Sequence, residues 1–148
     1  MKVKDLMSVN ITCVSENTPV SQIAAHMRSD NVGSLPVCDD MGRLKGIVTD
    51  RDIVLRALAK AGGPCSPSDM TTKDIMTNSP VTVSPHTDIH DAALMFSAYQ
   101  IRRLPVVEAS KLVGMLSLGD IAVKPVYIDE AGDALSAISL TTNLQVKN

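Results

Sequence analysis

The chain has 148 residues, 45% of them hydrophobic, which suffices for one ordinary domain or for two half-size units that share a core. Its 14 Lys and Arg residues stand against 16 Asp and Glu residues, so charge directs it neither to nucleic acid nor to an anionic membrane surface. Two Tyr, one Phe and no Trp leave no aromatic platform for stacking the bases of a single strand.

The N-terminal stretch MKVKDLMSVN carries charges and is followed by no long apolar run, so we expect a cytoplasmic protein without a signal peptide or membrane anchor. A first strand is predicted near residues 12–14. A helix is predicted over about residues 19–30, because apolar residues recur there at i, i+3, i+4 and i+7 (Val20, Ile23, Ala24 and Met27). A hairpin follows at residues 35–38 and 44–48, and a second helix begins after Thr49.

The second half of the chain repeats the first. The sequence KDLM at residues 4–7 returns as KDIM at residues 73–76, an offset of 69 residues. The helical stripe returns at the same offset, as Ile89, Ala92, Ala93 and Phe96. After a one-residue deletion, GIVTDRD at residues 46–52 is matched by GMLSLGD at residues 114–120. The chain therefore contains two copies of one strand-helix-strand-strand-helix unit.

The repeated unit also has an LPV strand and a Gly-aliphatic-aliphatic-Thr/Ser-x-x-Asp ending. With these features it resembles the CBS domain, and the pair resembles a small stand-alone bacterial CBS-pair protein, or Bateman module. The resemblance implies an α/β (α+β) fold of two β-α-β-β-α motifs packed sheet to sheet about a pseudo-twofold axis, with a short C-terminal helix. We expect the first motif at residues 1–60, a Gly-, Pro- and Ser-containing linker at 61–70, the second motif at 71–126 and a tail at 127–148.

The resemblance further implies a non-catalytic regulatory sensor that binds adenosine-containing ligands, of the AMP, ADP and ATP class, in the clefts between the two motifs. It implies a homodimer, an unidentified regulated protein, and no required cofactor, the adenosine nucleotide being a regulatory ligand. The residues show no Ser/His/Asp or Cys/His set and no glycine-rich phosphate loop. The alternative is a structural or interaction protein that acts through its dimer surface without a physiological nucleotide. Which adenosine compound binds, and in one cleft or both, is left open.

The predicted binding residues are those that end the two repeated motifs. Thr49 with Asp52, and Ser117 with Asp120, have the spacing of a capping box, in which each side chain accepts a hydrogen bond from the other residue's amide. The same groups suit a nucleotide, since a helix start attracts phosphate and a carboxylate accepts two hydrogen bonds from a ribose diol. The glycine that begins each motif is predicted to keep the strand bare beside the nucleoside.

Two arginines distinguish the copies. Arg102 and Arg103 precede the second LPV strand, where the first copy has Gly33 and Ser34. In resembling family members a basic residue at this place often faces phosphate, so both arginines are predicted phosphate ligands, with Arg103 as the first choice. The alternative is a solvated arginine pair. Arg51, inside the first motif, is expected to be an exposed first-turn residue.

The cysteines and histidines are candidates for metal or redox groups. Cys13, Cys38 and Cys65 are an odd set without CxxC spacing, which disfavours a secreted disulfide framework and a zinc knuckle. Cys13 and Cys38 fall on the first and second predicted strands of one unit, where they could be neighbours in the sheet. They are then either buried cysteines that act as small apolar residues or a redox pair. His86 and His90 have the i, i+4 spacing of a helical metal site, but no third ligand is near in sequence and no metal is predicted.

After residue 126 the repeat ends and a separate pattern begins. Apolar residues again fall at i, i+3, i+4 and i+7 (Ala131, Ala134, Leu135 and Ile138). They predict a short amphipathic helix that packs on the module or on a partner subunit.

Overall fold

The computed structural model describes the backbone of residues 1–59 and 67–146, with side chains over residues 1–59 and 68–140. Cys65 and most of the predicted linker lie outside the described residues. The helices are α1 Val20–Asp30, α2 Asp50–Asp52, which continues as a π-helix over Ile53–Leu58, α3 Thr72–Ile75, α4 Ile89–Tyr99, α5 Leu118–Ala122 and α6 Ile128–Val146. The strands are β1 Ser34–Cys38, β2 Leu44–Thr49, β3 Thr77–Asn78, β4 Arg103–Glu108 and β5 Lys111–Ser117.

The strands form two small sheets. In the first, β2 pairs antiparallel with β1 and with β3, and Leu35 lies opposite Val48. The second sheet pairs β4 with β5. The predicted hairpin and mixed α/β class are confirmed. The predicted first strand, near residues 12–14, is wrong in extent. Of these three residues only Val14 is paired, in a parallel bridge to Val37. The chain turns directly afterwards, where Thr18 N donates to Ser15 O over 3.2 Å.

The described contacts divide the chain into two compact units that alternate along the sequence. The β4–β5 unit comprises Met1–Asn10, Val81–Ala109 and Val113–Asn148, and the β1–β2 unit comprises Ile11–Pro80 and Ser110–Leu112. These two units are defined by contacts between residues. The motif boundaries at residues 1–60 and 71–126 are defined by the sequence repeat, and they stay a prediction.

The β1–β2 unit is built around the hairpin and α1. The buried face of α1 consists of Val20, Ile23 and Met27, as the spacing predicts, but Ala24 is exposed. The corresponding Ala93 in α4 is buried, and α4 has a further neighbour in α6. The core of the β1–β2 unit is Val14, Val20, Ile23, Met27, Leu35, Val37, Val48, Ala57, Ile75 and Met76.

The β4–β5 unit contains the predicted C-terminal helix, which spans 19 residues and is therefore longer than the short helix expected. Helix α6 packs against α4 and α5 and buries Ala131, Ala134 and Ile138. The prediction is wrong for Leu135, which is 46% exposed and lies outside the buried stripe. The docked helix itself is confirmed within the module.

The two KD(L/I)M segments each lie in the unit that holds the other copy's hairpin. In the β4–β5 unit, Val3 N donates to Thr87 O (2.9 Å) and Ile89 N donates to Met1 O (3.0 Å). In the β1–β2 unit, the equivalent bonds run from Thr72 N to Thr18 O (2.9 Å) and from Val20 N to Met70 O (3.0 Å). Each unit is thus completed by a short segment from the other half of the chain.

Candidate functional site

Both predicted capping boxes are formed, at the points where β2 and β5 end. Thr49 N donates to Asp52 Oδ2 over 2.9 Å, and Asp52 N donates to Thr49 Oγ1 over 3.2 Å. In the second copy, Ser117 N donates to Asp120 Oδ2 over 2.7 Å, and Asp120 N donates to Ser117 Oγ over 3.1 Å. These reciprocal bonds satisfy amides that a helix start leaves without an intrahelical partner.

The second carboxylate oxygen distinguishes the two boxes. In the first copy, Asp52 Oδ1 lies 3.6 Å from Arg56 Nε, and the Asp52 side chain is 13% exposed. Arg56 Nη1 also donates to the carbonyls of Ile75 (3.1 Å) and Met76 (3.4 Å), so the arginine is held in place. In the described part of the chain, no basic side chain forms an ion pair with Asp120. The Asp120 box therefore presents a negative charge that no described protein cation neutralises.

The backbone brings the two arginines beside the second box. Leu118 N donates to Arg102 O over 3.0 Å, as Asp50 N donates to Gly33 O over 2.9 Å in the first copy. Arg103 is the first residue of β4. Both arginine side chains are exposed. The two predicted phosphate ligands thus lie in the same unit as Asp120, next to the start of α5.

Both repeated glycines lie in close contact with protein atoms. A Cβ at Gly114 would lie 2.6 Å from Met7 Sδ and 3.1 Å from Ser8 O. A Cβ at Gly46 would lie 2.6 Å from Thr77 O and 2.9 Å from Met76 Sδ. Each glycine therefore leaves room for the methionine that ends a KD(L/I)M motif and for the residue after it. The expected contact of these glycines with a nucleoside stays a prediction.

Met7, Met76 and Arg56 are the residues around the boxes that the sequence reasoning missed. The two methionines end the repeated KD(L/I)M motifs, and their repetition together with the glycines was a usable signal. Arg56 follows Asp52 by four residues, the spacing at which helical side chains meet. Arg51, predicted to be an exposed first-turn residue, is exposed.

His86 and His90 each form a hydrogen bond with a different glutamate. His86 Nε2 lies 2.7 Å from Glu108 Oε1, and His90 Nδ1 lies 3.3 Å from Glu130 Oε1. Over the described residues, no group of three or more His, Cys, Asp or Glu side chains is arranged to hold a metal ion. No helix in the described portion has the length and apolar character needed to span a membrane.

The comparisons with known proteins agree on one family. A family model of the CBS domain matches residues 3–58 and 73–127. The CBS domain-containing protein YhcV of Bacillus subtilis is 39% identical over 137 residues, which are 93% of this chain and 94% of that protein.

Many solved structures share the fold, among them three with bound metal ions or adenosine-containing ligands. Hypoxic Response Protein I, with two coordinated zinc ions, has a TM-score of 0.74 and 32% identity, over 84% of this chain and 98% of that one. CBSX2 of Arabidopsis thaliana, in complex with AMP, has a TM-score of 0.71 and 31% identity, over 80% of this chain and 92% of that one. The CBS domain pair of MJ0100, with 5-methylthioadenosine and S-adenosyl-L-methionine, has a TM-score of 0.73 and 29% identity, over 82% and 93%.

Proposed function

We propose a function for this chain, which belongs to the CBS domain family. It is a non-catalytic regulatory module that binds an adenosine-containing ligand of the AMP, ADP and ATP class. The proposed contacts are the two strand-to-helix junctions, at Thr49 with Asp52 and at Ser117 with Asp120. The nucleotide acts as a regulatory ligand, and no further cofactor is required.

The proposal rests mainly on the Asp120 carboxylate, which pairs with no described cation and keeps free acceptor positions. Its Oδ2 already accepts from Ser117 N, while no described cation pairs with the group. A carboxylate offers about four lone-pair positions, so Asp120 retains acceptors for the two hydroxyls of a ribose. Asp52 has the same geometry but shares its charge with Arg56. We therefore expect the Asp120 side to contribute more to ribose binding than the Asp52 side.

The arginines support a phosphate-bearing ligand on the same side. The bond from Leu118 N to Arg102 O holds the start of β4 beside the start of α5. Two exposed guanidinium groups next to a ribose-binding carboxylate suit an adenosine phosphate, because arginine pairs with phosphate through charge-assisted hydrogen bonds.

The structural relatives support the ligand class. CBSX2 was solved with AMP, and the MJ0100 pair with 5-methylthioadenosine and S-adenosyl-L-methionine. These ligands share an adenosine group and differ in what is attached at its 5′ end. A carboxylate that binds the ribose diol would contact all of these compounds, whereas arginines that bind phosphate would favour the compounds that carry a 5′ phosphate.

The test is a titration of adenosine, AMP, ADP and ATP into the wild-type protein, Asp120→Asn and Asp52→Asn, with melting temperatures measured alongside. Asparagine keeps an oxygen that accepts from the cap amide but loses the charge. A charge-assisted hydrogen bond contributes about 1.5–3 kcal/mol, so Asp120→Asn should weaken binding at least tenfold while melting changes little. Asp52→Asn should cost less affinity.

The opposite pattern would return the boxes to a purely structural role. A large loss of stability with unchanged affinity in Asp120→Asn would contradict the ribose assignment. If none of the four compounds binds the wild-type protein, the alternative of an interaction protein without a physiological nucleotide is favoured instead.

We also propose that the module forms a homodimer. The π-helical end of α2 exposes three apolar side chains, Val54, Leu55 and Leu58, by 52%, 47% and 54%. A cluster of exposed apolar side chains is typical of an interaction surface. Light scattering should give twice the chain mass for the wild-type protein and the single mass for Leu55→Lys; one chain mass for both would contradict the dimer.

A further inference from the structure

The thiols of Cys13 and Cys38 meet in the β1–β2 unit. Cys38 Sγ donates to Cys13 Sγ over 3.4 Å, and both cysteines are free. Two backbone bonds hold them there, since Val14 N donates to Pro36 O (3.0 Å) and Cys38 N donates to Val14 O (2.9 Å). Cys13 is exposed, whereas Cys38 is 7% exposed. The pair therefore combines one accessible thiol with one protected thiol.

We propose that Cys13 and Cys38 form a reversible dithiol–disulfide site that is oxidised by a low-molecular-weight disulfide. An S–S bond is about 2.0 Å long, so the sulfurs must approach by only about 1.4 Å from their 3.4 Å separation. The proposal requires that side-chain rotation about the two Cα–Cβ bonds supply this movement while the backbone bonds around Val14 stay in place.

The two thiols have different roles in the exchange. The hydrogen bond from Cys38 lowers the pKa of the Cys13 thiol to about 7, against a smaller opposing effect of burial. The same hydrogen bond and burial raise the pKa of the Cys38 thiol, which keeps its proton. Because a thiolate is the attacking species, the exposed Cys13 is the nucleophile and Cys38 is the resolving thiol.

The exchange balances without any further reactant. The Cys13 thiolate attacks one sulfur of a small disulfide RSSR, forms a mixed disulfide and expels RS⁻. The expelled thiolate takes the proton of Cys38, and the Cys38 sulfur then attacks Cys13 Sγ and expels the second RS⁻. That group is protonated from solvent, which had received the Cys13 proton. The protein dithiol loses two electrons, and RSSR is reduced to two RSH.

The second copy indicates that the fold does not need this pair. Thr82 and Val107 stand where the first copy has Cys13 and Cys38. The same parallel bridge forms there, between Val83 and Val106, and Val107 N donates to Val83 O over 2.9 Å. Since the repeat builds the same bridge from residues without sulfur, packing alone does not explain why two thiols are placed in contact in the first copy.

A disulfide would join two residues 25 apart and enclose α1 in the closed loop. Such a link stabilises mainly by restricting the unfolded chain, which predicts a melting temperature higher by about 5 °C or more in the oxidised protein. The site would thus tie the stability of the β1–β2 unit to the thiol–disulfide balance around the protein.

The test uses Cys65→Ser as the background, so that only two thiols remain, and oxidised glutathione as the probe. We expect intact mass to fall by two hydrogens, free thiols to fall from two to none, and dithiothreitol to reverse both changes. Cys38→Ser in this background should stop at a mixed disulfide on Cys13, and Cys13→Ser should leave Cys38 unmodified and show no rise in melting temperature.

Three results would overturn the proposal. The first is a stable mixed disulfide on the two-thiol protein, because it would mean that Cys38 cannot resolve it. The second is a disulfide between two chains in place of one within the chain. The third is oxidation that occurs only in denaturant or that lowers the melting temperature, because either would place the sulfurs in an unsuitable native geometry.

Discussion

Met7 Sδ occupies the space into which a side chain on Gly114 would extend, 2.6 Å from the position of its Cβ. The contact joins the first KD(L/I)M motif to the second repeat's strand β5. It is reinforced by a bridge in which Ser8 N donates to Met115 O (2.8 Å) and Met115 N donates to Ser8 O (3.0 Å). A side chain at this repeated glycine is thus disfavoured by a protein contact.

Gly114→Ala should destabilise the protein. The added methyl group meets a sulfur and a backbone oxygen at 2.6 Å and 3.1 Å, and overpacking of this kind costs about 1–3 kcal/mol. The matched control is Gly132→Ala in α6, where a Cβ meets nothing within 4 Å. Since alanine is the better helix former, that change should raise stability by about 0.5–1 kcal/mol. Denaturant unfolding of both variants checks the prediction, and equal effects would contradict it.

The two glycines should respond differently to removal of their methionine. At Gly114 the shortest contact is with the Met7 side chain, whereas at Gly46 it is with the backbone oxygen Thr77 O. The double variant Met7→Ala/Gly114→Ala should therefore lose less free energy of unfolding than the sum of the losses in the two single variants. Met76→Ala should not rescue Gly46→Ala in this way. The coupling energies from two double-mutant cycles measure the difference.

Thr72→Val should be tolerated. Thr72 is fully buried, and its Oγ1 donates to Thr18 O over 2.9 Å, but the same carbonyl also accepts from Thr72 N. The corresponding residue in the other copy is Val3, which is likewise fully buried. Because the carbonyl keeps one donor, the loss should be about 1 kcal/mol or less. A loss above about 3 kcal/mol in urea unfolding would show that the hydroxyl has a larger role.

Ala134→Leu should destabilise the docked helix α6, while Leu135→Ala should not. Ala134 is fully buried, so a larger side chain costs about 1–3 kcal/mol through overpacking. Leu135 is 46% exposed, and its replacement should stay within about 0.5 kcal/mol. Thermal unfolding of the two variants measures this order, and the reverse order would mean that α6 presents a different face to α4 and α5.

Arg103→Ser tests phosphate recognition, because serine is the residue at the corresponding position of the first copy, Ser34. We expect AMP and ATP to bind severalfold more weakly, adenosine to change little, and the salt dependence of nucleotide binding to become flatter. Arg28→Ser, an exposed arginine on α1, is the control and should change none of these. Equal losses for adenosine and its phosphates would remove Arg103 from the proposed site.

Local patterns in the sequence were sufficient for the repeat, the helices α1 and α4, the hairpins and both capping boxes. The repeat is visible directly from the recurring residues, whereas the helices, hairpins and capping boxes depend on residues within about four positions of one another or on adjacent strands joined by a short turn. Thr49 with Asp52 and Ser117 with Asp120 form their predicted bonds because the donors and acceptors lie in a single helical turn.

The tertiary structure alone decided which distant segments meet. The Met7–Gly114 contact and the burial of Ala134 but not Leu135 both depend on packing between elements far apart in the chain. Side-chain spacing predicts which face of an element is apolar, but it does not state which neighbour covers that face. In this protein a segment from the opposite half of the chain completes each unit and lies against its repeated glycine.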